Sequence, residues 1–377
     1  MPSRAEQLLD LGQSIWLDFI RRGPLQSGEF AALVRDHGVV GVTSNPTIFQ
    51  QAIAQSDDYD KALEPLVAKG LGTPQIFESL AIEDIRLACD ALAAVAQRSK
   101  GMDGRVSLEV SPKLAHDTAG TIADARRLHR EVARPNVMIK VPATKAGLPA
   151  ITVLLAEGIC VNVTLIFSLA RYEEVMEAYL AALEQRAAQG LPLDGIHSVA
   201  SFFISRVDSK VDKAIDARAA AQPSGSPMRA ALEAMRGKAA VANARLAYER
   251  FEQVFGGERF APLRARGAHA QRPLWASTST KNPAYPDTMY VDELIGPHTV
   301  NTVPPATLTA FNDHGKVAVT LRDDLAAAHR LFQRLDDAGI PSDRLIAELE
   351  PEGVEAFAKS YDALLEAIDK RRVQMTK

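Results

Sequence analysis

Short runs of apolar and β-branched residues recur along the chain, separated by Ala-, Leu-, Glu- and Arg-rich stretches in which apolar residues return at helical spacing. Eight such runs stand out: SIWLDFI (14–20), HGVVGVTSN (37–45), GRVSLEVSP (104–112), NVMIKVPAT (136–144), GICVNVTLIFS (158–168), GIHSVASFFIS (195–205), RPLWASTST (272–280) and HTVNTVP (298–304). Strand-like runs alternating with amphipathic stretches predict a parallel sheet covered by crossover helices. Eight of them predict a (β/α)8 TIM barrel, whose usual size of about 250 residues leaves roughly a hundred for additions.

The connecting segments fit that reading. Residues 114–133 place Leu114, Ala125, Leu128 and Val132 near one helical stripe with charges opposite, as barrel cover requires. Two gaps, 46–103 and 206–271, are long enough for two or more helices each and read as helical insertions, so the whole chain, 1–377, is expected to form one domain. Within the second gap AQPSGSP (221–227) reads as an exposed loop between helices. From Glu352 onward, Val354, Phe357, Tyr361, Leu364, Leu365 and Ile368 recur at helical spacing, predicting a C-terminal helix packed on the barrel.

Strand side chains alternate between faces, and barrel enzymes collect their chemistry at the C-terminal strand ends, so inward polar residues late in a run are the candidates. With Val137, Ile139 and Val141 facing out, Lys140 faces in; with Val106, Leu108 and Val110 out, Ser107, Glu109 and Ser111 face in. In the fifth run Ile159, Val161, Val163 and Leu165 alternate against Cys160, Asn162 and Thr164. Trp16 and Asp18 share one face of the first run, Thr43 and Asn45 one face of the second, and Ser201 and Phe203 one face of the sixth. A lysine, carboxylates, amides and hydroxyls converging on one rim are costly to bury without a ligand to share their hydrogen bonds.

Lys140 is the pivot of this set. An amine attacks a carbonyl only when neutral, whereas a free lysine, with a pKa of about 10.4, is almost wholly charged at neutral pH. Burial disfavours the charged form, so a buried lysine is a candidate for Schiff-base chemistry on a ketose. The protonated imine would draw electrons from the C3–C4 bond and store them as an enamine, which is class I aldol chemistry. Asp18 and Glu109, on different strands, are candidates to take the hydroxyl proton and to shuttle protons while the imine forms. The competing reading is an ion pair of Lys140 with Glu109 or Asp18 that merely closes the barrel.

Composition removes other classes. Forty-three basic against 47 acidic residues give a net charge of -4 with no basic block to track a phosphate backbone, so no nucleic-acid partner is expected. No apolar run reaches the 18 or so residues of a membrane span, and a soluble cytoplasmic protein without targeting segment is expected. Cys89 and Cys160 lack partners at metal-ligand spacing. Nucleotide, zinc-protease and serine-hydrolase motifs are missing, and His37, His197 and His298 open their runs at the end opposite the expected chemistry, as structural residues would. For an anionic group on the substrate the candidates are Arg206, five residues after Ser201, and Lys281, just after STST.

The strand ends together resemble the transaldolase family, through VTSNPTIF (42–49), GRVSLEVSP (104–112), VMIKVPAT (137–144), VNVTLIFS (161–168) and SFFISRVD (201–208), in that order. The resemblance implies a Schiff-base lysine on strand four, where Lys140 falls. It implies Asp18 as acid/base on the substrate hydroxyl, and Glu109 working with Thr164 through a catalytic water. By the same matching Asn45 and Asn162 hold substrate hydroxyls with Thr43 beside them, and Ser201 and Arg206 belong to a phosphate clamp. The reaction implied is transfer of dihydroxyacetone from sedoheptulose 7-phosphate to glyceraldehyde 3-phosphate, giving erythrose 4-phosphate and fructose 6-phosphate in the pentose phosphate pathway, with no metal or organic cofactor.

The chain departs from many members in one place: WASTSTKNP after the seventh strand offers Lys281 where a second phosphate-binding arginine is usual, a point charge without a bidentate fork. The length and the 206–271 region resemble the longer bacterial subfamily. One rival is a fructose-6-phosphate aldolase that releases dihydroxyacetone to water; it resembles this chain with Gln at position 109 and Tyr at 203, so Glu109 and Phe203 favour transfer. The other is a sugar-phosphate binding barrel without catalysis. The oligomeric state is not legible in the sequence.

Overall fold

The computed structural model describes residues 2–375. Eight parallel strands close into a barrel in sequence order: β1 Gln13–Asp18, β2 Val39–Thr43, β3 Arg105–Glu109, β4 Val137–Pro142, β5 Val161–Ile166, β6 Ser198–Phe203, β7 Arg272–Ala276 and β8 Thr299–Val303, the last pairing with β1. All eight predicted runs contain strands, each ending earlier than its run and most of them beginning later. The trimming is physical: residues beyond the barrel wall have no neighbouring strand to take their backbone hydrogen bonds. Val, Ile and Leu on the outer strand faces pack under the helices, which is why these strands read as near-continuous apolar runs.

The fifth run corrects one expectation. Alternation holds through Thr164, but Leu165 adopts a left-handed backbone (φ 62°) and the β5–β6 register shifts between Val163 and Ile166. A bulge there ends the strict in–out pattern and re-aims the end of β5 toward the rim. The 114–133 helix also begins later than its apolar spacing suggests. Pro112–Leu114 forms a 3-10 turn, and the α-helix runs Thr118–Val132, with the Asp117 side chain accepting from the Gly120 N–H at 2.9 Å. Leu114 therefore lies outside the helix whose stripe it seemed to join, while Ala125, Leu128 and Val132 are buried in it.

Each long gap holds four helices: Pro46–Ala54, Asp60–Ala68, Thr73–Ala91 and Ala93–Arg98 in the first, Ser205–Ala220, Pro227–Glu233, Ala239–Gly256 and Ala261–Ala265 in the second. The Pro/Gly/Ser-rich stretch separates two of them as expected. After β8 come Pro305–His314, Leu325–Asp337 and Ser342–Ala347, then the C-terminal helix Leu349–Met375. None of the described helices is long and apolar enough to cross a membrane.

Polar and aromatic side chains plug the N-terminal strand ends. Asp103 accepts from Ser14 (2.9 Å), Trp16 (3.2 Å) and Arg272 (3.0 Å), and His197 stacks on His269 with ring centres 4.6 Å apart. Burial and the nearby Arg105 push the His197 imidazole down to about 3, so it is uncharged at neutral pH and serves as packing. Cys160 is buried at the same end, with Arg105 Nη1 3.7 Å from its Sγ. The C-terminal helix crosses the opposite end, where the strands finish. It is tied down by Glu350 to Arg171 (2.8 Å), Asp362 to Lys113 (2.8 Å), Ser360 to Thr47 (2.8 Å) and Arg371 to Asp60 (2.9 Å).

Candidate active site

Parallel register sets three of the predicted residues in one row across the barrel wall. Glu109 on β3 pairs with Lys140 on β4, which pairs with Asn162 on β5. Because neighbouring strands lie about 4.8 Å apart and these three side chains share the inner face, they meet around one point. Lys140 is 4% exposed, and its Nζ donates to the Ser44 carbonyl at 3.1 Å. Glu109 Oε2 is 3.7 Å from that nitrogen, beyond hydrogen-bond reach, and has no hydrogen-bond partner although it is buried. The two form a loose buried ion pair rather than a close hydrogen bond.

The carboxylates have different surroundings. Burial pushes Glu109 up to about 7, with Lys140 opposing and Asp18 adding to the rise. Asp18 is also raised by burial, but Lys140, a hydrogen bond from Thr43 and Lys281 pull it back. Asp18 pairs with Thr43 in the β1–β2 register, and Thr43 Oγ1 donates to Asp18 Oδ1 at 2.7 Å. Behind Thr43 lies Thr302 of β8, with 2.6 Å between the two hydroxyl oxygens.

On the other side of Lys140, Asn162 is fully buried: its Nδ2 donates to Ser107 Oγ at 3.0 Å and its Oδ1 accepts from Ser201 Oγ at 2.7 Å. Ser201 thus directs its single hydroxyl proton to Asn162. To donate to a phosphate it must release that bond, so its first partner is the amide and not the clamp. Thr164, across from Pro142, has a buried hydroxyl with no hydrogen-bond partner, as does Glu109 Oε2. Buried oxygens rarely stay unpaired, and two of them in one site call for a third group between or beside them.

Asn45 sits just past β2 and caps the helix Pro46–Ala54, its Oδ1 accepting from the Ile48 N–H at 2.9 Å. The cap occupies the amide oxygen and leaves the Nδ2 donors. Asn45 lines, with Ser44 and Glu109, a small cavity under the C-terminal helix residue Tyr361. At the far side of the rim, the Arg206 guanidinium lies between the rings of Phe203 (5.6 Å to the ring centre) and Phe357 (6.0 Å). Phe203 is backed by Phe167 with ring centres 5.1 Å apart. Burial lowers the pKa of Arg206, and burial together with Arg206 lowers that of Lys281, whose Nζ donates to Ser279 at 2.6 Å. Two cations thus share this side of the rim, one of them against two aromatic rings.

Of the eleven predicted residues, Asp18, Thr43, Glu109, Lys140, Asn162, Thr164, Ser201 and Phe203 lie on strands, Asn45 caps the helix after β2, Arg206 lies in the first turn of the helix after β6, and Lys281 lies in the loop after β7. Three contributors are missing from the sequence reading. The Ser44 carbonyl is backbone and carries no side-chain signal. Thr302 carries the same signal as the others, an inward polar residue late in a strand. Phe357 lies more than two hundred residues from Lys140 in the chain, yet its ring centre is 6.0 Å from the Lys140 nitrogen, and no local pattern encodes that contact. Among the described residues no group of three or more His, Cys, Asp or Glu side chains is placed to hold a metal ion.

The family model for transaldolase/fructose-6-phosphate aldolase matches residues 15–368. "Transaldolase 1" of Streptomyces coelicolor is 51% identical over 373 residues, covering 97% of this chain and 94% of that protein. "Transaldolase" of Thermobifida fusca is 50% identical over 369 residues, 98% of each chain, and "Transaldolase 2" of Nostoc sp. is 47% identical over 365 residues, 96% of each.

Proposed function

The chain belongs to the transaldolase/fructose-6-phosphate aldolase family, and we propose that it moves a dihydroxyacetone unit from sedoheptulose 7-phosphate to glyceraldehyde 3-phosphate through a Schiff base on Lys140. It acts in the cytoplasm, in the non-oxidative pentose phosphate pathway, and the whole chain works as one catalytic domain. The observation that carries the reading is the row of Glu109, Lys140 and Asn162, which sets a buried lysine 3.7 Å from a buried carboxylate.

The Lys140 amine adds to the C2 carbonyl of the ketose, and the carbinolamine loses water to give a protonated imine. Glu109 supplies and recovers protons in this step through a water held with Thr164, which accounts for the two unpaired oxygens. A carboxyl pushed up to about 7 exists in both protonation states at neutral pH, which suits a shuttle. Asp18 takes the proton from the C4 hydroxyl as the C3–C4 bond breaks; its electrons pass to the imine, leaving an enamine on Lys140 and releasing erythrose 4-phosphate. The enamine carbon then attacks the aldehyde of glyceraldehyde 3-phosphate, Asp18 returns the proton, and hydrolysis frees fructose 6-phosphate. Asn162 and Asn45 hold substrate hydroxyls beside Thr43. Arg206 and Lys281 hold the phosphate, and Phe203 supports the Arg206 plane.

Borohydride reduction in the presence of fructose 6-phosphate, followed by intact mass and peptide mapping, tests the reading. A three-carbon adduct on Lys140 is expected, and adding an aldehyde acceptor before the borohydride should diminish it. Folded protein that binds fructose 6-phosphate yet yields no adduct overturns the Schiff-base mechanism in favour of a binding barrel.

A further inference from the structure

The Asp18–Thr43–Thr302 chain can be ordered by counting protons. Thr43 has one hydroxyl proton and lies within hydrogen-bond distance of both Asp18 Oδ1 (2.7 Å) and Thr302 Oγ1 (2.6 Å). An ionised carboxylate only accepts, so the Thr43 proton goes to Asp18, and the 2.6 Å contact must then be a donation from Thr302 to Thr43. Protonating Asp18 on Oδ1 would reverse the chain and strand the Thr302 proton, and protonating it on Oδ2 would leave Thr43 donating to a neutral carbonyl oxygen, a weaker acceptor than a carboxylate. Thr302 is 2% exposed, and among the described residues Thr43 is the one partner of its hydroxyl. Leaving a buried donor unpaired is unfavourable, so the geometry favours one direction of the chain.

We infer that Thr302 is a positioning residue for Asp18: acting through Thr43, it polarises the hydrogen-bond chain so that Asp18 is held as a proton acceptor aimed at the substrate hydroxyl. The inference rests on Asp18 being the base of C–C cleavage. It explains how a carboxylate raised by burial is kept ready to accept a proton. Of the elements around Asp18, β3 presents Glu109, β4 presents Lys140 and the loop after β7 presents Lys281, whereas β2 and β8 present only hydroxyls, Thr43 and Thr302. Lys140 and Lys281 supply charge attraction; the hydroxyl chain supplies direction, which a point charge does not.

The backbone secures Thr302 independently of its side chain: Thr302 pairs with Trp16 of β1, and its carbonyl accepts from Thr278 Oγ1 at 2.9 Å. Replacing the hydroxyl by a methyl group is thus a local change.

The test compares wild type, T302V and T302S for retro-aldol cleavage of fructose 6-phosphate across pH, together with borohydride trapping. T302V should move the acid limb of kcat/KM upward by about one pH unit, so that the rate below that limb falls about tenfold, because the ionised form of Asp18 loses support. Trapping should shift from the three-carbon adduct toward the uncleaved six-carbon adduct, since imine formation does not call on Asp18. T302S keeps the donor and should restore both readouts. If T302V does not fold, T302A removes the same hydroxyl and is read the same way. An acid limb and adduct ratio unchanged in the folded hydroxyl-deleted variant overturn the inference. D18N separates this failure from failure of the underlying reading: if D18N still accumulates the three-carbon adduct, Asp18 is not the base, whereas a six-carbon adduct in D18N with wild-type behaviour in T302V rejects Thr302 alone.

Discussion

Phe357 stands over Lys140, its ring centre 6.0 Å from the lysine nitrogen, and the same ring is 6.0 Å from the Arg206 guanidinium. One side chain of the C-terminal helix therefore lies against both Lys140 and Arg206. Only 4% of it is exposed. An enamine that must wait for an aldehyde needs water kept away, and an aromatic roof does this without offering a proton.

Removing that roof should change the fate of the intermediate. F357A is expected to raise dihydroxyacetone release relative to transfer, measured with and without glyceraldehyde 3-phosphate, and to cost about 3–5 kcal/mol of stability in denaturant unfolding. F357L, which keeps most of the volume, should preserve the ratio. Equal ratios in F357A and wild type would show that the ring only packs.

Phe203 makes a related prediction at the other wall. Its ring packs at a tilt against Phe167 and lies beside the Arg206 guanidinium, and F203Y adds a hydroxyl donor to that ring. More dihydroxyacetone should be released while transfer persists; unchanged release would remove Phe203 from the partitioning.

Glu109 should govern the pH dependence of imine formation. With its carboxyl pushed up to about 7, the rate of borohydride trapping should change through neutral pH, and E109Q should lose that limb and slow about 10²–10⁴-fold. The stability effect has the opposite sense from an ordinary buried carboxylate in an ion pair. A folded-state value above the unfolded one means that wild-type stability falls as pH rises from about 4.5 to 7, as the unfolded chain releases its proton first. E109Q should therefore gain in melting temperature over wild type at pH 8, and the gain should shrink toward pH 4.

For the proposed phosphate site the expected signature is selectivity. R206A should raise KM for fructose 6-phosphate and lower kcat/KM about a hundredfold, with little effect on unphosphorylated dihydroxyacetone, and R206K should recover only part because the planar fork is lost. K281A should act in the same direction but less, since a lysine holds phosphate as a point charge without a bidentate fork. Equal losses on phosphorylated and unphosphorylated substrates would move both residues out of the phosphate site.

Gly353 is buried where the C-terminal helix packs on the end of β5 and on Arg206. A Cβ there would meet Leu165 Cδ2 at 3.0 Å and Arg206 Nη1 at 3.5 Å. Mid-helix glycine costs about 1 kcal/mol relative to alanine, and here the close contact accounts for it. G353V should lose about 1–3 kcal/mol and displace the roof, lowering adduct formation with fructose 6-phosphate. Full activity in G353V would show that the helix has room to spare.

The sequence by itself determined the barrel and its catalytic row. Period-two alternation is a local property, so reading Val137, Ile139 and Val141 outward put Lys140 inward, and the same logic located Glu109, Asn162 and Thr43 on their strands. Parallel closure then brings such positions together whatever the connecting helices do. Between residues 305 and 351 the apolar spacing named no element, although three helices form there; their amphipathic faces are short and settle only against the rest of the protein. The bulge at Leu165 was equally hidden, because a left-handed leucine has no local signature and persists only where its surroundings hold it. What tertiary structure alone decided is who the inward residues meet. Ser201 bonds Asn162, Thr302 stands behind Thr43, Asn45 caps its helix, and Phe357 closes the site from the far end of the chain. Such contacts depend on register and on helix placement, which are fixed by the packing of the whole and not by the spacing of neighbours along the chain.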